Sequence, residues 1–273
     1  MAKKALNEMS FLDHLEELRW LLVRSSAAIV IMGIVSYFFA DYIFSDLIFG
    51  PTNPSFITYR FFCKASHYLG FADSICITEL NFIIQNTQME GQVNIFVWVC
   101  ITAGFILAFP YILWELWKFI SPALYEKEKK NAKLFIFVAS ILFFFGVLFG
   151  YFVIVPMSLN FLATFSISSF VKNQFSIDSY VSMVKTAVIA CGLYFELPII
   201  IYFLTKLGLV GPNFLRKYRK YAVVIVLIIA AIVTPPDVVS QITVAVPMMI
   251  IYEGCIWISA VVEKNKKKDE QTS

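Results

Sequence analysis

Residues 186–204 read TAVIACGLYFELPIIIYFL, an apolar run with one acid, Glu196, near its middle and Pro198 two residues later. A carboxylate at bilayer depth is costly enough that by default it marks a functional site whose partner should be sought. Pro198 has no N–H to offer the Tyr194 carbonyl, which bends a helix there and frees a polar backbone group. An acid beside a built-in bend points to a membrane protein that receives something inside the bilayer.

Composition supports that reading along the whole chain. Hydrophobic residues make up 59% of 273, aromatics 17% and charged residues 15%, where a soluble domain is about half apolar and about a quarter charged. Six apolar stretches stand out, at 21–39, 93–116, 134–155, 181–204, 222–233 and 242–262. Most approach or exceed the ~20 residues that cross ~30 Å of hydrocarbon. The fifth has 12 residues and reaches only ~18 Å, so it must thin the bilayer or borrow Tyr221 and Thr234 at its ends.

Lysine and arginine set the orientation. Eighteen lie in the N-terminal segment, in the loops after the second and fourth stretches and in the tail, against three in the alternate loops. By the positive-inside rule both termini are expected in the cytoplasm. The first 20 residues are too charged for a signal-peptide core, and bulky Phe38 and Phe39 stand where a small residue would precede cleavage, so the first span is expected to be retained. Residues 1–262 read as one six-span membrane domain. It has an interfacial helix at about residues 10–20 and a long extracytoplasmic loop at about residues 40–92, where short amphipathic helices lying against the membrane or over a cavity are expected. Residues 263–273 form a charged tail whose composition predicts disorder. Cys63 and Cys76 share that long loop, on the side where a disulfide is permitted. Cys100, Cys191 and Cys255 sit in apolar runs and are expected to pack as small hydrophobes.

Pro110, Pro156, Pro198 and Pro247 lie within or at the ends of spans, and Pro235 and Pro236 close the fifth. Proline is common in membrane helices, but together these predict kinked spans forming a concave, glove-like wall. The fold class is therefore all-α polytopic membrane protein with six transmembrane helices.

Three further segments carry candidate chemistry. SFLDHLEELR at residues 10–19 has a helix start signal, Ser10 with Asp13. Phe11, Leu15 and Leu18 form an apolar face and Asp13 and Glu17 an acidic one. It reads either as an interfacial helix with solvated acids or as an anionic site. YEKEKK at residues 125–130 is a solvated charge run or presents one acid to a cationic ligand. TPPD at residues 234–237 turns between two spans, with Asp237 placed to cap the next helix. Glu253, the second deep carboxylate, is expected to pair with a Tyr or Ser on a neighbouring helix. His14 and His67 are the only histidines, and no metal-ligand spacing, HExxH, GxSxG or phosphate-binding glycine loop is present, so neither metal, cofactor nor enzymatic chemistry is expected. The basic residues border spans, so nucleic-acid binding has no support.

SFLDHLEELR (10–19), FISPALY (119–125), FELP (195–198) and TPPD (234–237), in this order, resemble the TatC family of the twin-arginine protein translocase. The likeness spans nearly the whole chain. It implies a receptor in the bacterial inner membrane, surrounded by membrane lipids, that binds twin-arginine signal peptides of folded proteins. It further implies TatA/TatB-type single-span partners, self-association in the complex, and export driven by the proton-motive force. The family's arginine-recognising glutamates fall on Glu17 and Glu128, with Arg19, Phe119, Pro122, Leu124 and Tyr125 at the surrounding motif positions. Its intramembrane glutamate falls on Glu196 beside Pro198, and the TPPD aspartate on Asp237. The first loop departs from the family through an aromatic, cysteine-containing insertion at 61–76. The alternative is a proton-coupled small-solute transporter using Glu196 and Glu253 as a relay, whose expected sign, paired inverted repeats with broken helices, is not found in the sequence.

Overall fold

The computed structural model describes residues 11–68, 82–121, 132–166, 168, 173–234 and 238–272. Helix α1 (Phe11–Phe38) leads through short helical pieces into α2 (Ile57–Tyr68), and strand β1 (Ile83–Gln85) precedes α3 (Gly91–Ile120). Helix α4 (Ala132–Phe149) passes through a π-helical segment (Gly150–Ile154) into α5 (Val155–Thr164). Strand β2 (Gln174–Ser176), α6 (Ile177–Tyr194), α7 (Leu197–Lys206), α8 (Pro212–Lys217), α9 (Arg219–Val233) and α10 (Val238–Thr272) follow. The end of the bundle where α1 begins and α3 finishes is the basic end, and the opposite end is the loop end.

Among the described residues five helices are long and apolar enough to cross a membrane: His14–Phe38, Gly91–Ile120, Lys133–Thr164, Ile177–Lys206 and Ser240–Lys266. Helix α9 corresponds to the short fifth stretch. Its 15 residues reach ~22 Å at 1.5 Å per residue.

Two expectations need correction. From Phe11 onward the expected interfacial segment and the first span form one uninterrupted helix, α1, because no proline or glycine separates them before Gly33. The charged tail from Glu263 continues α10 as far as Thr272 rather than leaving the helix. Glu, Lys and Gln are good helix formers.

Two of the span prolines stand at breaks, whereas Pro110 and Pro247 lie inside the continuous helices α3 and α10. Helix α6 stops at Tyr194, and the Phe195 amide bonds back to Cys191 and that of Glu196 to Leu193. Helix α7 then restarts with Pro198 in its first turn, a position where its absent donor costs nothing. Pro156 likewise opens α5 after the π-helical segment.

Packing relies on small residues. A Cβ on Gly104 of α3 would stand 2.6 Å from both the Gly33 nitrogen and the Ile29 carbonyl oxygen, so the backbones of α1 and α3 meet directly. Gly146 and Gly150 play the same part against α6, where a Cβ would lie 2.6 Å from the Cys191 carbonyl and 2.7 Å from that of Ala187. Between membrane helices, close approach of this kind supplies the dispersion contacts that replace hydrophobic burial. Phe143 fills the space between α4 and α3, its ring stacked 3.5 Å from that of Phe109.

At the loop end β1 and β2 pair in parallel, Ile84 opposite Phe175, and so join the first long loop to the segment before α6. No strand is expected from the sequence. The amphipathic helix expected in the first loop is α2. Cys63 within it is disulfide-bonded, whereas Cys76 lies outside the described residues. Cys100, Cys191 and Cys255 are free and buried, as small hydrophobes.

Candidate functional site

At the basic end the His14 ring stacks on Phe119, centroids 4.5 Å apart and planes 22° from parallel. This contact docks the start of α1 on the last turn of α3, at the first residue of the FISPALY segment. Glu17 lies one turn along α1 from His14, on the same side, and both Glu17 and Arg19 are exposed. The guanidinium groups of Arg19 and Arg24 approach Trp20 at 6.0 and 5.9 Å, leaving Glu17 without a salt bridge to either. Pro122, Leu124, Tyr125 and Glu128 lie outside the described residues, as does Asp237. The described part of the TPPD turn is Thr234, buried, with its hydroxyl donating to the Ala230 carbonyl.

Glu115, on α3 behind this junction, has no place in the sequence reading. It is only 4% exposed and accepts from Lys118 at 2.7 Å and from Arg24 of α1 at 3.4 Å. Both cations are half-exposed, so their stems run along apolar surface while their charges reach the solvent-facing rim. A carboxylate one turn before a lysine, at the edge of an apolar stretch, is the signal that points to it. With Gly33 and Gly104, this tie fixes α1 against α3 and so sets where Glu17 stands.

Glu196 occupies the break between α6 and α7 and is 6% exposed. Its Oε1 has no hydrogen-bond partner, and no cation bridges to it among the described residues. The surroundings are closely packed and tied. Phe195 packs on Phe145 and Phe149, at 5.9 and 5.6 Å between centroids. The Tyr194 hydroxyl donates to the Met248 carbonyl at 3.0 Å, and Thr205 donates to Ser259 at 2.9 Å, so both sides of the break are tied to α10. Pro198 lines a mainly apolar cavity of about 410 Å³ with Trp117, Phe135, Tyr202 and Phe203.

Glu253 pairs with neither Tyr nor Ser. Arg219, from the first turn of α9, holds it through two bonds, Nε to Oε1 at 2.7 Å and an η nitrogen to Oε2 at 2.8 Å. The correction follows from the α9–α10 hairpin, which brings residues 34 apart in sequence together. A fork-shaped guanidinium fits a carboxylate better than a hydroxyl does. Among the described residues no group of three His, Cys, Asp or Glu is placed to hold a metal ion.

The family described as Sec-independent protein translocase protein (TatC) matches residues 13–247. The TatC protein of Blattabacterium sp. subsp. Periplaneta americana (strain BPLAN) is 44% identical over 270 residues, 97% of this chain and 100% of the relative. TatCy of Bacillus subtilis (strain 168) is 33% identical across 98% of this chain and 95% of its own length. A crystal structure of the twin-arginine translocase receptor TatC aligns with a TM-score of 0.72 at 31% identity, covering 92% of this chain and 99% of that one.

Proposed function

The chain belongs to the TatC family of Sec-independent protein translocases, transport components rather than enzymes, and on that premise we propose how its two carboxylate regions work. It is a multi-pass protein of the inner membrane and the receptor of a twin-arginine translocase, with both termini on the cytoplasmic side. Its basic end takes the arginine pair of a signal peptide on Glu17 and Glu128, with Arg19, Phe119, Pro122, Leu124 and Tyr125 shaping the surface around them. A planar guanidinium binds a carboxylate through two parallel bonds that lysine cannot reproduce. Fully solvated pairs would yield only ~0–1 kcal/mol each, so the apolar part of the peptide must shield them as it settles against the spans.

The observation that carries this reading is the His14–Phe119 stack. It joins the first two motifs at one end of the bundle and leaves Glu17 exposed beside the junction. Glu196 serves a separate step. As a bare acid beside the Pro198 break, it accepts hydrogen bonds from a polar side chain of a TatA/TatB-type helix, which assembles with further copies of the complex for export driven by the proton-motive force. Asp237 shapes the turn between the last two spans.

Photo-crosslinking of an Arg-Arg signal peptide to the full chain in membranes tests the receptor site. The Glu17→Ala/Glu128→Ala double variant should lose most of the adduct, as should a Lys-Lys peptide on the unaltered chain. Undiminished crosslinking in the double variant would remove both glutamates from the site.

A further inference from the structure

Helix α2 has two unlike faces. Its inner face is fastened to the third span: the Thr58 hydroxyl donates to the Phe152 carbonyl at 2.6 Å, and the Tyr59 hydroxyl lies 2.9 Å from the Pro51 carbonyl and 3.4 Å from that of Pro156. Phe56, just before the helix, stacks on Phe152 at 5.7 Å. Burial pushes the Tyr59 phenol up, so it remains a neutral donor. Its outer face is open. Ile57, Phe61 and Tyr68 are 57%, 67% and 93% exposed, far beyond what isolated apolar residues on a water-facing loop helix need. They recur at helical spacing, and exposed Arg60 and Lys64 flank them. The helix contains no acidic residue.

Its depth decides what covers that face. The helix that runs through Lys133–Thr164 has 32 residues, ~48 Å, which overshoots ~30 Å of hydrocarbon by ~9 Å at each end if centred. Phe152 and Pro156 lie ~18 and ~12 Å short of its end at Thr164, which puts them ~9 and ~3 Å inside the hydrocarbon boundary. Tyr37, Phe38, Phe39 and Tyr42, all more than half exposed, cluster at the loop end of α1, as aromatic belts do at a membrane boundary. Water is not the neighbour of an apolar stripe held at that depth.

We infer that α2 is an interfacial helix lying at the hydrocarbon boundary of the loop end, with Ile57, Phe61 and Tyr68 among acyl chains and Arg60 and Lys64 reaching out to the phosphates of anionic phospholipids. Amphipathic helices of this kind seat their apolar face ~5–10 Å into the boundary and bind anionic lipid through flanking cations. The arrangement makes the first loop a membrane-anchored brace on the π-helical segment of the third span rather than a segment projecting into solvent.

The test uses the full chain in vesicles of phosphatidylethanolamine and phosphatidylglycerol, with p-benzoylphenylalanine at position 61 or, separately, at 57. Both positions are exposed, so the probe leaves the inner contacts intact, and the same probe at buried position 59 is the control. Light should give phospholipid adducts at 61 and 57, about tenfold above position 59, and enriched in phosphatidylglycerol relative to the vesicle composition. The Arg60→Gln/Lys64→Gln variant should return the adducts to the bulk lipid ratio. Crosslinking of position 61 to a second copy of the chain, or lipid adducts no more abundant at 61 than at 59, would overturn the proposal. Adducts at the bulk lipid ratio in the unaltered chain would overturn its anionic-lipid part.

Discussion

Glu115 and Glu196 are both acids inside spans and almost equally buried, at 4% and 6% exposure, yet they live in opposite surroundings. Glu115 lies near the basic end, where Arg24 and Lys118 reach it while keeping half their own surface in the open. Glu196 sits ten residues or more from Lys185 and Lys206, ~15 Å along the helix, and its Oε1 meets no donor. A buried polar atom left unsatisfied costs ~1–3 kcal/mol. The fold removes that cost at one acid and retains it at the other. Burial alone therefore says little about a carboxylate's role. The available donors separate a structural tie from an acid left free for the partner role proposed above.

The sharpest way to break the comparison is to make Glu115 resemble Glu196. Arg24→Ala with Lys118→Ala strands a buried carboxylate, and thermal unfolding in detergent should show a loss of ~3–5 kcal/mol, the usual effect of removing the partners of a buried charge. A loss below 1 kcal/mol would mean that Glu115 is not a tie. Next in size is Gly104→Ala. Its methyl would lie 2.6 Å from the α1 backbone, so α1 and α3 must separate, at ~1–3 kcal/mol. The same variant should lower signal-peptide crosslinking because it shifts Glu17. Crosslinking that stays constant while stability falls would detach the peptide site from the α1–α3 junction.

Much of this contrast can be read from the sequence, for a physical reason. Glu196 is conspicuous because it is alone in an apolar run, and Pro198 places the break where it is found, since a missing N–H acts locally. The short α9 follows from counting apolar residues. Glu115 escapes that logic because it stands near the edge of its stretch, close to Trp114, Trp117 and Lys118, where an acid passes for a boundary residue. Its second partner, Arg24, is 91 residues away, and the bond exists only because Gly33 and Gly104 let two helices touch. The Arg219–Glu253 pair and the three-residue strands β1 and β2 are hidden in the same way, since tertiary approach creates them. The chain from 122 to 131, with Glu128, and residues 235–237, with Asp237, lie outside the described residues, so those two motif readings rest on sequence and family.

Smaller effects sharpen the contrast. Arg219→Ala should change stability by only ~0–1 kcal/mol, because both members of its pair are about half-exposed. A loss several times larger would place Glu253 with Glu115 as a structural tie. For Glu196→Ala the expected change in stability of the isolated chain is zero or slightly positive, since the lost packing is offset by removing a buried unsatisfied oxygen.

That last variant gives the most direct measurement of all, when the chain's unfolding temperature is read beside its association with a TatA/TatB-type single-span helix in the same membranes. If Glu196 is held for another chain, Glu196→Ala leaves the unfolding temperature unchanged or raised and weakens association about 3- to 30-fold, the equivalent of one interhelical hydrogen bond in lipid. A marked fall in unfolding temperature with association intact would contradict the account, because Glu196 would then be serving its own fold.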